Sequence, residues 1–377
     1  MRKALLVSES TVYKNPQGEM IAHGGGEVYM HNLAKLLLKL GIESTVFGIK
    51  EFEGQISEEV IDGVLYKRGD VRSRRSFLLL KYLKEARKLA RKFDLVFVNQ
   101  FVPHLILPFI RGKKRIAIIH DVYKKEGLKF WIKQYGFFAG VSGWMVEKLQ
   151  LFFDKRYADF IVTVSESSKK KIGDVIGSKV FEKLLVCPSI VYKRDDLKDV
   201  QKEKIILFVG RFVDYKHPEQ GLLVLKKVQE FDSEYKAIFV ATRVSKKTMQ
   251  LFKKVKKEQS VDDESVIIKS DCGNEEVAEL MAKAKILVHS SYIEGQGIVI
   301  LEALSLGTPI VAYNLEAYKG MLLNGQNCEL TQKGEVSRLS EGAVKILKNY
   351  DFYQKNCKTS LEEFSEEKVM NVLKNID

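Results

Sequence analysis

The stretch Glu294-Gly295-Gln296-Gly297-Ile298-Val299-Ile300-Leu301-Glu302 decides how this chain reads. It is preceded by Lys285-Ile286-Leu287-Val288-His289 and Ser290-Ser291, and followed by Gly307-Thr308-Pro309-Ile310-Val311-Ala312-Tyr313. The short apolar run before it predicts a buried strand. The glycines predict a turn that opens a helix, and Pro309 to Tyr313 predicts the next strand. The unit is strand, glycine turn, helix, strand, which is the repeat of a parallel sheet.

That order has a chemical use. The first amides of a helix lack intrahelical partners and carry the positive end of its dipole, so those near Gly297, Ile298 and Val299 suit a phosphate. Gly295 and Gly297 let a ligand approach the backbone. Glu294 stands at the mouth of the turn. Glu302 stands over a turn further on, and helical side chains lean back towards the N-terminus. Carboxylates for hydroxyls beside amides for phosphate describe a site for a sugar nucleotide.

The segment resembles the Glu-x7-Glu signature of the retaining GT-B glycosyltransferases of family 4, and Ser290-Ser291 and Gly307 to Ala312 are similar to the family pattern on either side. The resemblance implies an α/β fold with two Rossmann-like, doubly wound parallel-sheet domains facing each other across a cleft. It implies transfer of a sugar from a nucleotide-diphosphate sugar with retention of configuration.

The rest of the chain repeats the same alternation. Strands are predicted at 4–7, 44–47, 64–66, 95–98, 115–119, 160–164 and 184–186, with helices over 27–40 and 77–92. The charged segment 192–204 interrupts the pattern, which restarts at Ile205. The expected domains are 1–192 on the acceptor side, a linker at 193–203, and a donor domain at 204–350. The family resemblance implies that the C-terminal helices, 351–377, return to the first domain.

Several other residues carry candidate chemistry. Gly24-Gly25-Gly26-Glu27 opens the first helix; it is neither a P-loop nor a dinucleotide fingerprint. The resemblance makes Gly25 and Gly26 donor-binding. Arg211 and Lys216 follow the strand 205–209 with Gly210 between strand and cation, and ligands bind at strand ends in such sheets. Two cations there neutralise charge on a departing diphosphate. The family has glycine where His217 stands here, and a glycine-containing loop where Thr242-Arg243 stands. His120 ends the strand 115–119 and matches the family's histidine beside the donor sugar. Asp121 is either an acceptor contact or a cap. Asp271 is expected at the nucleotide base. The resemblance assigns Glu302 to the ribose and Glu294 to the donor sugar's hydroxyls.

Composition narrows the partners. With 45% hydrophobic residues and four cysteines without Cys-x2-Cys spacing, the chain is globular and expected to be cytoplasmic, with neither a zinc site nor a disulfide framework. There is no Asp-x-Asp, so no metal and no cofactor is expected. The net charge of +13 favours an anionic partner. No nucleic-acid signature accompanies it. The cations Arg74, Arg75 and Lys81 within 67–92, and the aromatic segment 127–138 with Trp131, predict contact with an anionic membrane surface on the way to a glycan or lipid-linked acceptor. A sugar-nucleotide epimerase of GT-B build, and an inactive basic membrane or nucleic-acid binding protein on the same fold, are the alternatives.

Overall fold

The computed structural model describes residues 1–69, 76–122, 127–192, 194–270 and 272–376. They form two compact units. The first comprises residues 1–13, 26–189 and 366–376; the second comprises 14–25 and 190–365. Two segments therefore group differently from the sequence reading. The short strands β2 (Tyr13–Lys14) and β3 (Met20–Ile21) lie largely in the second unit, and the chain returns to the first unit at Glu366, not at 351.

Around β1 (Lys3–Val7), the first unit builds an eight-stranded sheet. Helix α1 (Gly25–Lys39) leads to β4 (Glu43–Ile49), β5 (Glu58–Ile61) and β6 (Val64–Gly69). Helix α2 (Ser76–Ala90) leads to β7 (Leu95–Asn99) and β8 (Lys114–Ile118). Helices α3 (Gly127–Tyr135) and α4 (Phe137–Tyr157) precede β9 (Phe160–Thr163), and α5 (Glu166–Ile176) precedes β10 (Leu184–Val186). The spatial order is β10-β9-β8-β7-β1-β4-β6-β5, and every pairing is parallel except β5 with β6. Strands buried on both faces read as unbroken apolar runs, as Ala4 to Val7 and Val96 to Val98 do.

The order reverses between β1 and β7, and side chains clamp the two strand ends there. Gln100, with φ of 66°, accepts from the amides of Glu9 (2.7 Å) and Ser10 (3.0 Å). Glu9 in turn accepts from the amides of Phe101 (3.2 Å) and Val102 (2.8 Å).

Helix α4 has its polarity reversed. Its buried positions include Glu147, Gln150 and Asp154, while Phe137, Phe138, Met145, Leu149 and Phe152 are between 44% and 86% exposed. The buried acids are engaged: the Trp131 indole donates to Glu147 at 2.8 Å, and His104 Nδ1 lies 2.6 Å from Asp154. Trp131 is thus interior, against the expectation of a surface contact. Lys81 is exposed, whereas Arg74 and Arg75 lie outside the described residues.

The second unit has six parallel strands. They are β11 (Glu203–Arg211), β12 (Lys236–Thr242), β13 (Val266–Lys269), β14 (Ala284–His289), β15 (Ile310–Tyr313) and β16 (Cys328–Thr331), in the order β13-β12-β11-β14-β15-β16. Helices α6 (Glu219–Phe231), α7 (Lys246–Glu258), α8 (Asn274–Lys283), α9 (Ile298–Ser305), α10 (Val336–Lys348) and α11 (Tyr350–Asn356) complete it. One face of this sheet buries Phe208, Phe239 and Leu225; the other buries Leu207, Leu287 and Leu304. The expected linker belongs to this unit. Arg194 pairs with Glu275 at 2.6 Å, and the Lys202 ammonium donates to Thr308 (2.5 Å) and the Leu306 carbonyl (3.2 Å). Helix α12 (Glu366–Lys374) groups with the first unit, where Glu366 pairs with Lys39.

All four cysteines are free and buried. No helix among the described residues is long and apolar enough to cross a membrane.

Gly140 sets how closely α3 and α4 approach. A Cβ there would lie 2.6 Å from the backbone of Ile132, which cannot yield as a side chain does. Alanine would raise helix propensity by about 1 kcal/mol on its own. We expect Gly140→Ala instead to destabilise the first unit by about 1–3 kcal/mol, seen as a lower urea midpoint.

Candidate active site

In the second unit the order reverses between β11 and β14, and the crevice beyond the carboxyl ends of such strands is where ligands bind in open parallel sheets. Arg211 ends β11 and the loop after it carries Lys216; the loop after β14 carries Glu294 and opens α9. The sequence therefore brings these groups to one sheet edge from positions far apart in the chain.

The two loops are tied to each other. Lys216 Nζ and His289 Nε2 both engage Glu294 Oε1, the histidine at 2.8 Å. The Ser290 hydroxyl donates to the carbonyls of Lys216 and His217, each at 2.9 Å. The Tyr292 amide donates to the Tyr215 carbonyl at 2.8 Å. Arg211 donates to the Tyr215 hydroxyl. Burial alone would raise the Glu294 carboxyl, but the Lys216 charge and the His289 hydrogen bond outweigh it and hold the acid well below its usual range. Burial pushes His289 down, against the pull of Glu294.

Helix α9 begins after Gly297, whose φ of 89° is left-handed. A Cβ at Gly297 would also lie 3.3 Å from Ile300 and Tyr318, so both conformation and space call for glycine. The amides of Ile298 and Val299 stand in the first turn. Gly25 lies against this helix start: a Cβ there would be 3.3 Å from the Ile298 side chain. Glu302, in the second turn, is half-buried, and among the described residues no cation pairs with its carboxylate. Burial pushes it up to about 7. Asp271 lies outside the described residues.

His120 is in the first unit, just past β8. Its Nε2 is 3.0 Å from Asn99 Oδ1, and Asn99 Nδ2 points at Ser8 Oγ (3.4 Å), so the amide oxygen accepts from an Nε2–H. The assigned tautomer leaves Nδ1 as the acceptor. Tyr29 packs edge-on to the ring with centroids 5.1 Å apart, and a Cβ at Gly26 would be 3.6 Å from Nε2. Burial, helped by the nearby His104, lowers His120 to about 4, so the ring is neutral near pH 7. Asp121 accepts from the Val122 amide at 2.9 Å and pairs with Lys171 at 3.0 Å.

Residues 23–188 match the family described as Glycosyltransferase Family 4, and residues 192–362 match Glycosyl transferases group 1. The chain is a GT-B glycosyltransferase of the family 4 type. An uncharacterized glycosyltransferase of Methanocaldococcus jannaschii is 23% identical over 345 residues, spanning 78% of this chain and 91% of that relative. Sucrose-phosphate synthase of Thermosynechococcus elongatus shares the fold with a TM-score of 0.78 at 17% identity, covering 100% of this chain and 98% of its own. Anabaena HepE, solved in complex with UDP and glucose, gives 0.77 at 16% identity, covering 100% and 99%.

This glycosyltransferase departs from the family pattern without losing the loop shape that glycine permits. His217 takes φ of 47° and ψ of 53°, the left-handed region. It is held by Glu219 (2.9 Å from its Nδ1) and by packing on Tyr292, with ring centroids 4.0 Å apart. Arg243 is left-handed as well, at φ of 49°. Reading the sequence for site residues passed over His289, Asn99 and Gln100; each stands at or just past the carboxyl end of its strand, the one signal that marks them.

The Glu302 carboxyl yields a pH prediction with a fixed sign. Its native value is raised, to about 7 from 4.5, so its stabilising contribution is complete below the unfolded value and is lost as pH rises through the folded one. Relative to Glu302→Gln, the native protein should lose on the order of 1–3 kcal/mol between about pH 4.5 and about pH 7. Paired melting curves across that range check it; parallel curves would show that Glu302 titrates normally.

Proposed function

We propose that this glycosyltransferase moves a sugar, with retention of configuration and without a metal, from a nucleoside-diphosphate sugar to a glycan or lipid-linked acceptor. The observation that carries the reading is the cluster Arg211, Lys216 and Glu294 beside the start of α9, at the reversal point of the second sheet. Arg211, Lys216 and the amides of Ile298 and Val299 neutralise the diphosphate as the sugar–oxygen bond breaks. Glu302 accepts from ribose hydroxyls. Glu294 stays ionised through Lys216 and His289. A carboxylate so engaged orients hydroxyls of the donor sugar; it is not poised as a nucleophile. His120 presents a neutral ring whose tautomer Asn99 fixes.

UDP is the first probe, because the Anabaena protein of the same fold was solved with it. Replacing Lys216 or Arg211 by alanine removes charge-assisted bonds worth about 1.5–3 kcal/mol, so the Kd for UDP should rise roughly 10–100-fold. Calorimetric titration reads this, and the anomeric proton signals of the product read the stereochemistry. Unchanged affinity in both variants, or an inverted product, would overturn the reading.

A different surface of the first unit supports a membrane contact. The exposed apolar side of α4 runs through Phe138, Met145, Leu149 and Phe152 at helical spacing, with Lys148 and Arg156 also exposed and both acids of the helix turned inward. We assign anionic bilayer contact to this face. Because the three side chains are exposed, Met145→Ser, Leu149→Ser and Phe152→Ser together leave the fold intact. They should cut co-sedimentation with phosphatidylglycerol vesicles about tenfold or more. Equal binding of the parent protein to neutral vesicles, or none to either, would end the assignment.

A further inference from the structure

The first unit has a second concavity that the transfer reaction does not use. It encloses about 570 Å³ and is walled by Arg87 and Arg91 from the end of α2, by Phe109, Arg111 and Lys113 from the segment leading into β8, and by Tyr157 from the end of α4. It opens at the amino end of β8. His120 follows the carboxyl end of the same strand, roughly 20 Å away along the chain's extended path.

Its charge pattern is one-sided. Four cations line it and no carboxylate does. Among the described residues none of the four forms an ion pair. The neighbouring acids are committed elsewhere: both Asp159 oxygens are engaged by Arg115, at 2.8 to 3.1 Å, and Asp94 accepts from the Lys3 amide at 2.9 Å. The Arg87 guanidinium lies over the Phe109 ring, 5.1 Å from its centroid, although Phe109 is 56% exposed. This cation–π contact holds the Arg87 charge at the wall of the hollow. The floor is apolar, with Ile110 buried beneath.

Like charges gathered in one concavity repel, and that cost is returned only when an anion enters. Guanidinium forks match the paired oxygens of phosphate groups. Three arginines and a lysine are more charge than a single phosphate monoester neutralises. We propose that this cavity is a binding site for a phosphate-bearing polyanion, of the charge of a diphosphate, separate from the donor site and independent of it. The same chemistry is offered by a soluble diphosphate and by the headgroups of anionic lipids, and the test separates the two.

The experiment uses the full chain with Arg211→Ala and Lys216→Ala, so that the donor site does not compete for the probe. Inorganic pyrophosphate is titrated calorimetrically into this protein and into one carrying Arg87→Gln and Arg111→Gln as well. In parallel, both proteins are sedimented with phosphatidylglycerol vesicles. The positions are exposed, and circular dichroism checks that the fold is kept. Saturable pyrophosphate binding that weakens about tenfold or more on the second pair of substitutions supports the site with a soluble ligand. Weak pyrophosphate binding together with a comparable loss of vesicle binding supports it with a lipid headgroup. Pyrophosphate and vesicle binding both unchanged by the arginine substitutions, or absent from the start, would overturn the proposal. UDP affinity in the otherwise native protein carrying only Arg87→Gln and Arg111→Gln should be unaltered, which separates this result from any failure of the donor-site reading.

Discussion

The placement of the carboxylate of Glu294 is the constraint on which the site depends. It is mostly buried, and a buried carboxylate without partners costs several kcal/mol or takes up a proton. Two partners prevent that, and they come from opposite sides of the reversal in strand order: His289 from the end of β14 and Lys216 from the loop after β11. Satisfying one charge therefore fixes two loops that are 78 residues apart in the chain. Ser290 and Tyr292 add ties of the same kind through the backbone. The electrostatics of the site and the shape of its loops are a single problem with a single solution. The groups are already in place before any ligand enters, and such preorganisation is what makes charge stabilisation effective when a bond breaks.

The first unit ties its loops with side-chain bonds to backbone amides. Where its strand order reverses, Gln100 and Glu9 exchange side-chain bonds with each other's loop amides. The backbone at Gln100 is left-handed, as it is at His217 and Arg243 in the second unit. Left-handed conformations cost non-glycine residues on the order of 1 kcal/mol or more each. They persist because surrounding contacts over-determine them: the amides of Glu9 and Ser10 for Gln100, Glu219 and Tyr292 for His217. Gln100 and Arg243 directly follow strands β7 and β12, and His217 ends the turn that follows β11. Strain of this kind concentrates where a loop must turn back over a ligand crevice.

What the sequence could and could not show follows from these devices. The two parallel sheets were legible because strands buried on both faces read as plain apolar runs, and the Glu294 to Glu302 segment was legible because glycine at Gly297 has both a steric and a conformational reason. The loop at His217 was harder. The expected glycine was missing, and only the three-dimensional contact with Tyr292 shows that the shape survives. Helix α4 could not be read from periodicity. Apolar residues cover its outer face, and its inner face holds Glu147 and Asp154, whose partners Trp131 and His104 come from other elements. The segment expected as a linker shows a related difficulty: a charged segment resembles solvated chain until Arg194 and Lys202 are seen to anchor it to the second unit. In each case the deciding contact is long-range, and composition carries no trace of it.

The excess positive charge is explained by where the cations have partners and where they do not. At the candidate site Lys216 is held by Glu294, so it contributes position as well as charge. On the outer face of α4 and in the cavity beside its carboxyl end, the acids nearby have turned inward or paired elsewhere, with Glu147 on Trp131, Asp154 on His104 and Asp159 on Arg115. Glu147 and Asp154 are thereby removed from the surface, and Asp159 is balanced by Arg115. A net charge spread evenly would aid solubility and little else. Withdrawing acids from one region leaves a local field that an anion feels, and does so through hydrogen bonds that also hold α4 in place. The same bonds thus support the fold and polarise the surface, so the reversed polarity of α4 serves stability and sets the charge of its outer face.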